Sequence, residues 1–327
     1  MKSGGRLGNK KSLSVPGINL DIPYVSDLDR EDIKYACENG GEFLAISFVS
    51  CKENVLEIKE ILKEYGREDL QIICKIESQL GLDNLEEILE VSDGIMYARG
   101  DLGSEIPSEM LPIVQKQVIK TCRRLGKICI VATEMLETMM ENIRPKRAET
   151  SDIANAVLDG TDAVMLSGET TVGKYPIETV AAMAQICETT EKYTEFDYKI
   201  EVDSLDVVSF AIANNVVESS KKLDAKLICA PTISGKTARL ISNLKPTAPI
   251  LALVPDVRTG SRLALHWGVY PMMLPIIDST DEILTRSVER AKEFTQLDKG
   301  DLIIITGGFP NNTKIKRTNL MKIEVID

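Results

Sequence analysis

A chain of 327 residues with 43% hydrophobic and 27% charged residues has the make-up of a soluble globular protein and the length of about two domains. Its formal net charge of −11, with no basic stripe against it, argues against a nucleic-acid partner, and no apolar run reaches membrane-spanning length. Seven cysteines without a C-x-x-C pattern point to neither a disulfide framework nor a zinc site, and one histidine, His266, leaves no His-rich metal centre. The opening MKSGGRLGNKK lacks an apolar signal region, so the expected location is cytoplasmic.

Residues 1–28 are rich in Gly, Lys and Ser and read as loop. Ser26 or Asp27 is placed to cap a helix over Asp29–Asn39. Strands are then expected at Phe43–Phe48, Gln71–Ile76, Gly94–Ala98, Ile128–Thr133 and Asp162–Leu166. Helical periodicity falls between them near 52–65, 82–91, 111–125 and 149–159, and a further helix follows Pro176, whose fixed φ suits a first turn. Repeated strand–helix units predict a parallel sheet with helices outside it. Lys192–Asp203, polar and without period, reads as a linker. Beyond it, helices at Leu205–Lys222, 235–244, 257–266 and 279–296 alternate with strands at Leu227–Ala230, Ile250–Val254, Val269–Met273 and Leu302–Thr306, with Leu320–Ile326 closing the chain. That is a small α/β unit of the doubly wound kind.

The chemistry concentrates in QIICKIESQLGLDNLEEILEVSDGIMYARGDLGSE, Gln71 to Glu105. Side chains alternate along a strand, so Lys75 and Glu77 point to one side at the carboxyl end of their run. Asp101 stands just past the end of the next strand. Two carboxylates and a lysine at adjacent strand ends suit a hard divalent cation and a phosphate-bearing substrate. A structural ion pair at a barrel mouth is the competing reading. In the second unit, APTISGKTARL offers Thr232, Ser234, Gly235, Lys236 and Thr237, with hydroxyls, a cation and backbone N–H groups at a helix start. That set suits a phosphate, or it is a strand-to-helix turn with a serine cap. Lys314, Lys316 and Arg317 in GGFPNNTKIKRTN would form a second wall.

KIESQLGLDNLEEIL with SDGIMYARGDLGSEIP, VATEMLETMMENIRPKRAE and DIANAVLDGTDAVMLSGETTVGKYP resemble the pyruvate kinase family, in order and in spacing, and the likeness runs from about Gly4 onward. The resemblance implies an incomplete TIM (β/α)8-type barrel over residues 29–196 and the family's C-terminal α/β domain over 197–327. Residues 1–28 would be the return from the family's lid domain. It implies phosphoryl transfer from phosphoenolpyruvate to ADP, giving pyruvate and ATP. By the same resemblance Lys75 stabilises the migrating charge, and Glu77 and Asp101 hold Mg2+ (or Mn2+). Ala98, Arg99, Gly100 and Asp101 bind the substrate carboxylate, and Thr133 contacts substrate near the enolate face. Ser167 and Glu169 form a proton path, or only fix their loop. Thr232, Ser234, Gly235, Lys236 and Thr237 would hold a sugar-phosphate effector, and a homotetramer is implied.

Three positions depart from the family pattern: Ser78 for a usual Asn, Glu134 for Gln, and Lys146 for Thr. The family's first three barrel strands, its Ser-His-Gly run and its Asp-Thr-Lys-Gly-Pro run are absent from this sequence. A closed barrel needs eight strands and typically about 250 residues. The expectation is therefore a partial chain of weak or no activity alone, whose K+ ligands belong to the absent part. The alternative is a non-catalytic module that binds effector, oligomerises, or complements a separate N-terminal chain.

Overall fold

Apolar runs bounded by turn residues build the expected alternation, and a computed structural model describes it for residues 22–196, 207–309 and 317–327. In the first unit the order is α1 (Asp27–Glu38), β1 (Phe43–Ile46), α2 (Lys52–Glu64), β2 (Gln71–Ile76), α3 (Gln79–Asp83), α4 (Leu85–Val91), β3 (Gly94–Ala98), α5 (Arg99–Glu105), α6 (Leu111–Leu125), β4 (Ile128–Ala132), α7 (Arg147–Asp159), β5 (Ala163–Met165), α8 (Gly168–Thr171) and α9 (Pro176–Glu191). The five strands pair in parallel in chain order, so β1 and β5 are the edges of an open sheet. Helices cover one face: Ile72, Cys74 and Ile76 of β2 join Ile95 and Tyr97 of β3 in a core with Ile88, Val118 and Ile153. The alternate residues Ile73, Met96, Ile130 and Ala132 gather on the opposite face, where Leu265 of the second unit packs against them.

Sequence periodicity placed one helix over 82–91, and the structure breaks it. Ser78 Oγ accepts from Gly81 N at 3.2 Å and starts α3 early. Asn84 then leaves the helical register, and its side-chain amide donates to Ser50 O at 2.8 Å. A short amide side chain finds a backbone partner outside the helix more readily than within it. Two short helices are additions: β3 passes directly into α5 with Ala98 as its cap position, and α8 follows β5.

The second unit runs α10 (Val207–Lys222), β6 (Leu227–Pro231), α11 (Lys236–Asn243), β7 (Ile250–Val254), α12 (Val257–Leu263), β8 (Val269–Met273), α13 (Thr280–Phe294), β9 (Leu302–Gly307) and β10 (Leu320–Val325). Strand order is β10-β9-β6-β7-β8, all parallel except β10, which runs antiparallel to β9. Apolar clusters lie on both faces: Ile228, Ala230 and Ile250 with α10 and α11 on one, Leu227, Cys229 and Ile303 with Ala291 of α13 on the other. The α/β class of both units, and the incomplete barrel of the first, stand as the sequence implied. Of the linker expected at Lys192–Asp203, residues 197–203 lie outside the described residues, as do the basic residues Lys314 and Lys316.

Candidate functional site

At the carboxyl end of β2 the pleat brings Lys75 and Glu77 together. Lys75 Nζ lies 2.8 Å from Glu77 Oε1 and donates to Ser47 Oγ at 3.0 Å. The glutamate is 1% exposed and its Oε2 accepts from Phe48 N at 2.7 Å. Phe48 takes φ +53, a left-handed conformation that turns its N–H toward the carboxylate. Oε1 is ion-paired with the Lys75 ammonium, so a buried carboxylate and a cation share this strand end. Ser47 and Phe48 were missed from sequence; they sit 28 and 29 residues from their partners, with no local signature.

Asp101 stands on the first turn of α5, after β3, the strand paired to β2, and its side chain is exposed. Among the described residues no three acidic, His or Cys side chains gather as a metal cage. A divalent cation here would therefore take Glu77 and Asp101 and fill its shell from substrate and water, as Mg2+ does when it binds through one or two carboxylates. The buried carboxylate of Glu77 fits that role by the chemistry of its oxygens.

The end of β4 is held under strain. Thr133 and Glu134 both have positive φ, +70 and +54, which is uncommon outside glycine and most unusual for the β-branched Thr133. Arg99, 8% exposed, holds this turn: its guanidinium donates to Thr133 O at 2.6 and 3.2 Å and to Glu134 O at 3.2 Å, and it pairs with Asp152 of α7 at 2.5 Å. Thr133 Oγ1 accepts from Gly100 N at 2.8 Å, which ties the start of α5 to the strained turn. Ala98 is buried at the end of β3. Thus Ala98, Arg99, Gly100 and Thr133 form one connected element. Arg99's side chain is spent on carbonyls, and Asp152, missed from sequence, anchors it.

Ser167 and Glu169 close the far side. Glu169 is 3% exposed, and its carboxylate accepts from Ser167 N at 2.8 Å and Leu136 N at 3.2 Å. It binds the loop after β5 to the loop after β4. Ser167 itself is exposed. Glu149 does the same for the 138–149 loop, accepting from Thr138 N and Lys146 N, both at 2.8 Å, and its pKa is held below the usual carboxylate value by bonds to Thr138 and Lys146 that outweigh its burial.

In the second unit the turn from β6 into α11 sits where the strand order reverses between β6 and β9, the place where open α/β sheets bind ligands. Gly235 takes φ +76, and a Cβ there would meet Leu263 Cδ2 at 3.0 Å. Ser234 and Lys236 are exposed, Thr232 and Thr237 buried. Thr237 Oγ1 lies 2.9 Å from Thr318 Oγ1, linking this turn to the segment after β9.

A truncated parallel sheet with a lysine–glutamate pair at a strand's carboxyl end, followed by a doubly wound unit, defines an α/β protein of (β/α)-barrel type with a candidate phosphate-handling site. The family description "Pyruvate kinase, barrel domain" matches residues 1–180, and "Pyruvate kinase, alpha/beta domain" matches 210–324. The chain belongs to the pyruvate kinase family. The pyruvate kinase of Geobacillus stearothermophilus is 45% identical over 327 residues, 99% of this chain and 56% of the relative. Those of Clostridium acetobutylicum and Staphylococcus saprophyticus are 41% and 43% identical, and this chain covers 69% and 55% of their lengths. The chain thus spans little more than half of several curated relatives. No helix among the described residues is long and apolar enough to cross a membrane.

Proposed function

We propose that this chain carries part of a pyruvate kinase site, transferring the phosphoryl group of phosphoenolpyruvate to ADP in the last step of glycolysis, with weak or no turnover on its own. One observation supports it above others: the ammonium of Lys75 paired with the buried carboxylate of Glu77, at the carboxyl end of a parallel strand. Phosphoryl transfer accumulates negative charge on the migrating group and the leaving oxygen, so preorganised cations lower its barrier. In this reading Lys75 sets a positive charge beside those oxygens. Mg2+ or Mn2+, held by Glu77 and Asp101, would supply Lewis-acid stabilisation when bound. The start of α5, Arg99 to Asp101, faces the substrate carboxylate, and the turn is fixed by Thr133, whose Oγ1 accepts the Gly100 N–H. Thr133 lies beside the enolate face, where Ser167 and Glu169 order the loop through which a proton arrives. K+ would be bound by residues outside this chain. The expected setting is the cytoplasm, and the expected assembly a homo-oligomer of up to four chains.

The open edges β1 and β5 support weak activity in isolation, because a half-sheet leaves substrate exposed to water on the side where further strands would stand. Coupled measurement of ADP-dependent pyruvate formation with Mg2+ and K+ tests this: robust turnover by the isolated chain would overturn the weak-activity reading. If adding a polypeptide with the missing strands restores turnover, Lys75→Met should abolish it; equal turnover by that variant removes Lys75 from the reaction.

A second reading is favoured by the β6–α11 turn at the switch point of a complete sheet. On it the chain is a non-catalytic module that binds a sugar phosphate through Thr232, Ser234, Gly235, Lys236 and Thr237, or complements a separate N-terminal chain. A thermal-shift series with sugar phosphates, with Lys236→Ala as control, separates the readings. No shift with any phosphate ligand counts against effector binding.

A further inference from the structure

Four carboxylates stand one or two residues ahead of strands of the first sheet: Glu42 before β1, Asp69 before β2, Asp93 before β3 and Asp162 before β5. Two of them also tie neighbouring strands together, since Asp93 accepts from Ile72 N at 2.8 Å and Asp162 from Cys129 N at 3.0 Å. This acidic row lies at the strands' amino ends, opposite the candidate site. The second unit meets it with a row of cations. Arg258 reaches Asp69 at 3.1 Å and Glu42 at 3.4 Å, and Arg262 reaches the same two at 2.6 and 3.4 Å. Arg239 of α11 lies within electrostatic reach of Asp93.

Lys245, just after α11, is different in kind. Its side chain is 0% exposed, its backbone is left-handed at φ +52, and its ammonium pairs with Asp162. Trp267 closes over it, ring centre 5.3 Å from Nζ, and donates its backbone N–H to Asp162 at 3.4 Å. Asn243 donates to Arg123 O at 2.6 Å, so the end of α11 also grips the end of α6. Phe196, within the segment read as linker, stacks edge-on against Trp267 at 5.6 Å. Leu265 enters the apolar face of the first sheet between these contacts.

We propose that the second unit is a base plate for the open sheet: its cations dock on the acidic row, and the Lys245–Asp162 pair is a buried pin that fixes the register, so that the two units fold and unfold as one. The half-exposed arginines steer docking but add little energy singly. The pin acts through specificity, because any other register leaves a desolvated ammonium or carboxylate without its partner. In a closed barrel the opposing strands cover the interior face; here Leu265 covers its lower end. None of this depends on the catalytic reading.

Trp267 is the sole tryptophan and lies at the pin, so its fluorescence reports docking. Amide exchange of β2 to β4 reports the first sheet. In urea the unaltered chain should lose both signals in one coincident transition. Lys245→Met should separate them, with Trp267 exposed at urea concentrations where β2–β4 amides remain protected. Lys245→Met with Asp162→Asn should bring the transitions partly back together, since no charge is left buried alone. Separate transitions in the unaltered chain, or coincident ones in Lys245→Met, overturn the proposal. If Lys245→Met does not fold, Arg258→Gln with Arg262→Gln tests the docking from its exposed side. Iodide quenching of Trp267 should rise severalfold in that variant, and unchanged quenching overturns the proposal.

Discussion

The two sheets have five strands each and differ in how their faces are covered. The second has an antiparallel edge, β10, and a parallel, largely exposed edge, β8, but its central strands β6, β7 and β9 are buried on both faces. The first ends in β1 and β5, which are only four and three residues long. All three residues of β5 are half-buried. A sheet covered on both faces is a finished unit, whereas one with two parallel edges and a half-covered face is built to be joined. The candidate site residues Lys75, Glu77 and Asp101 thus sit on the less covered of the two sheets.

The sharpest way to break that contrast is a pair of truncations. Ile304→Ala, at 0% exposure in the middle of β9, should cost about 3–4 kcal/mol in urea denaturation, and Val164→Ala, half-buried on β5, about 1 kcal/mol or less. Equal losses would mean that the first sheet's edge is as well packed as the second sheet's centre.

Next in size is a pH effect at the join between the halves. Burial pushes the pKa of His266 down to about 4, with Arg239 and Lys245 acting in the same direction and Asp162 opposing them. Its Nε2 is buried without a hydrogen-bond partner among the described residues. The unfolded chain takes up this proton near pH 6.5. The neutral ring therefore contributes its full stability above that pH, and loses it as pH falls from about 6.5 to about 4. At about 1.4 kcal/mol per pKa unit the loss reaches about 3 kcal/mol as an upper bound. Equilibrium unfolding of His266→Gln should show a flatter pH dependence over that window; an unchanged slope assigns the acid sensitivity elsewhere.

Two smaller changes probe one local feature in each half. Gly235→Ala forces a Cβ onto a left-handed backbone and against Leu263, and should cost about 1–2 kcal/mol while weakening any phosphate response of the second unit. Ser26→Ala removes a capping box, in which Ser26 Oγ accepts from Asp29 N and Asp29 accepts from Ser26 N, and should cost about 1 kcal/mol in thermal unfolding. A Ser26→Ala loss above the Gly235→Ala loss would reverse the order in which the halves tolerate local damage.

Much of the scaffold was legible in the amino-acid order. β2, β3, α6, β7 and β8 fall at the residues that periodicity assigned, because apolar runs of five or six and a stripe over fifteen residues are strong short-range signals. Ser26 caps α1 as its position indicated. Lys75 and Glu77 share a side because a strand's pleat leaves no alternative. The break at Asn84 was not legible, since it depends on Ser50, 34 residues away. Nor was the work of Arg99, whose partners lie 34 and 53 residues along the chain.

The sequence by itself therefore determined the elements, their order and the residue types at each strand end, because these follow from local periodicity and from the alternation of side chains. Only the tertiary structure decided that Arg99 holds a strained turn and that Lys245 finds Asp162 across 83 residues. Such pairings have no local signature: a buried charge acquires its partner only when two surfaces close and exclude water from both.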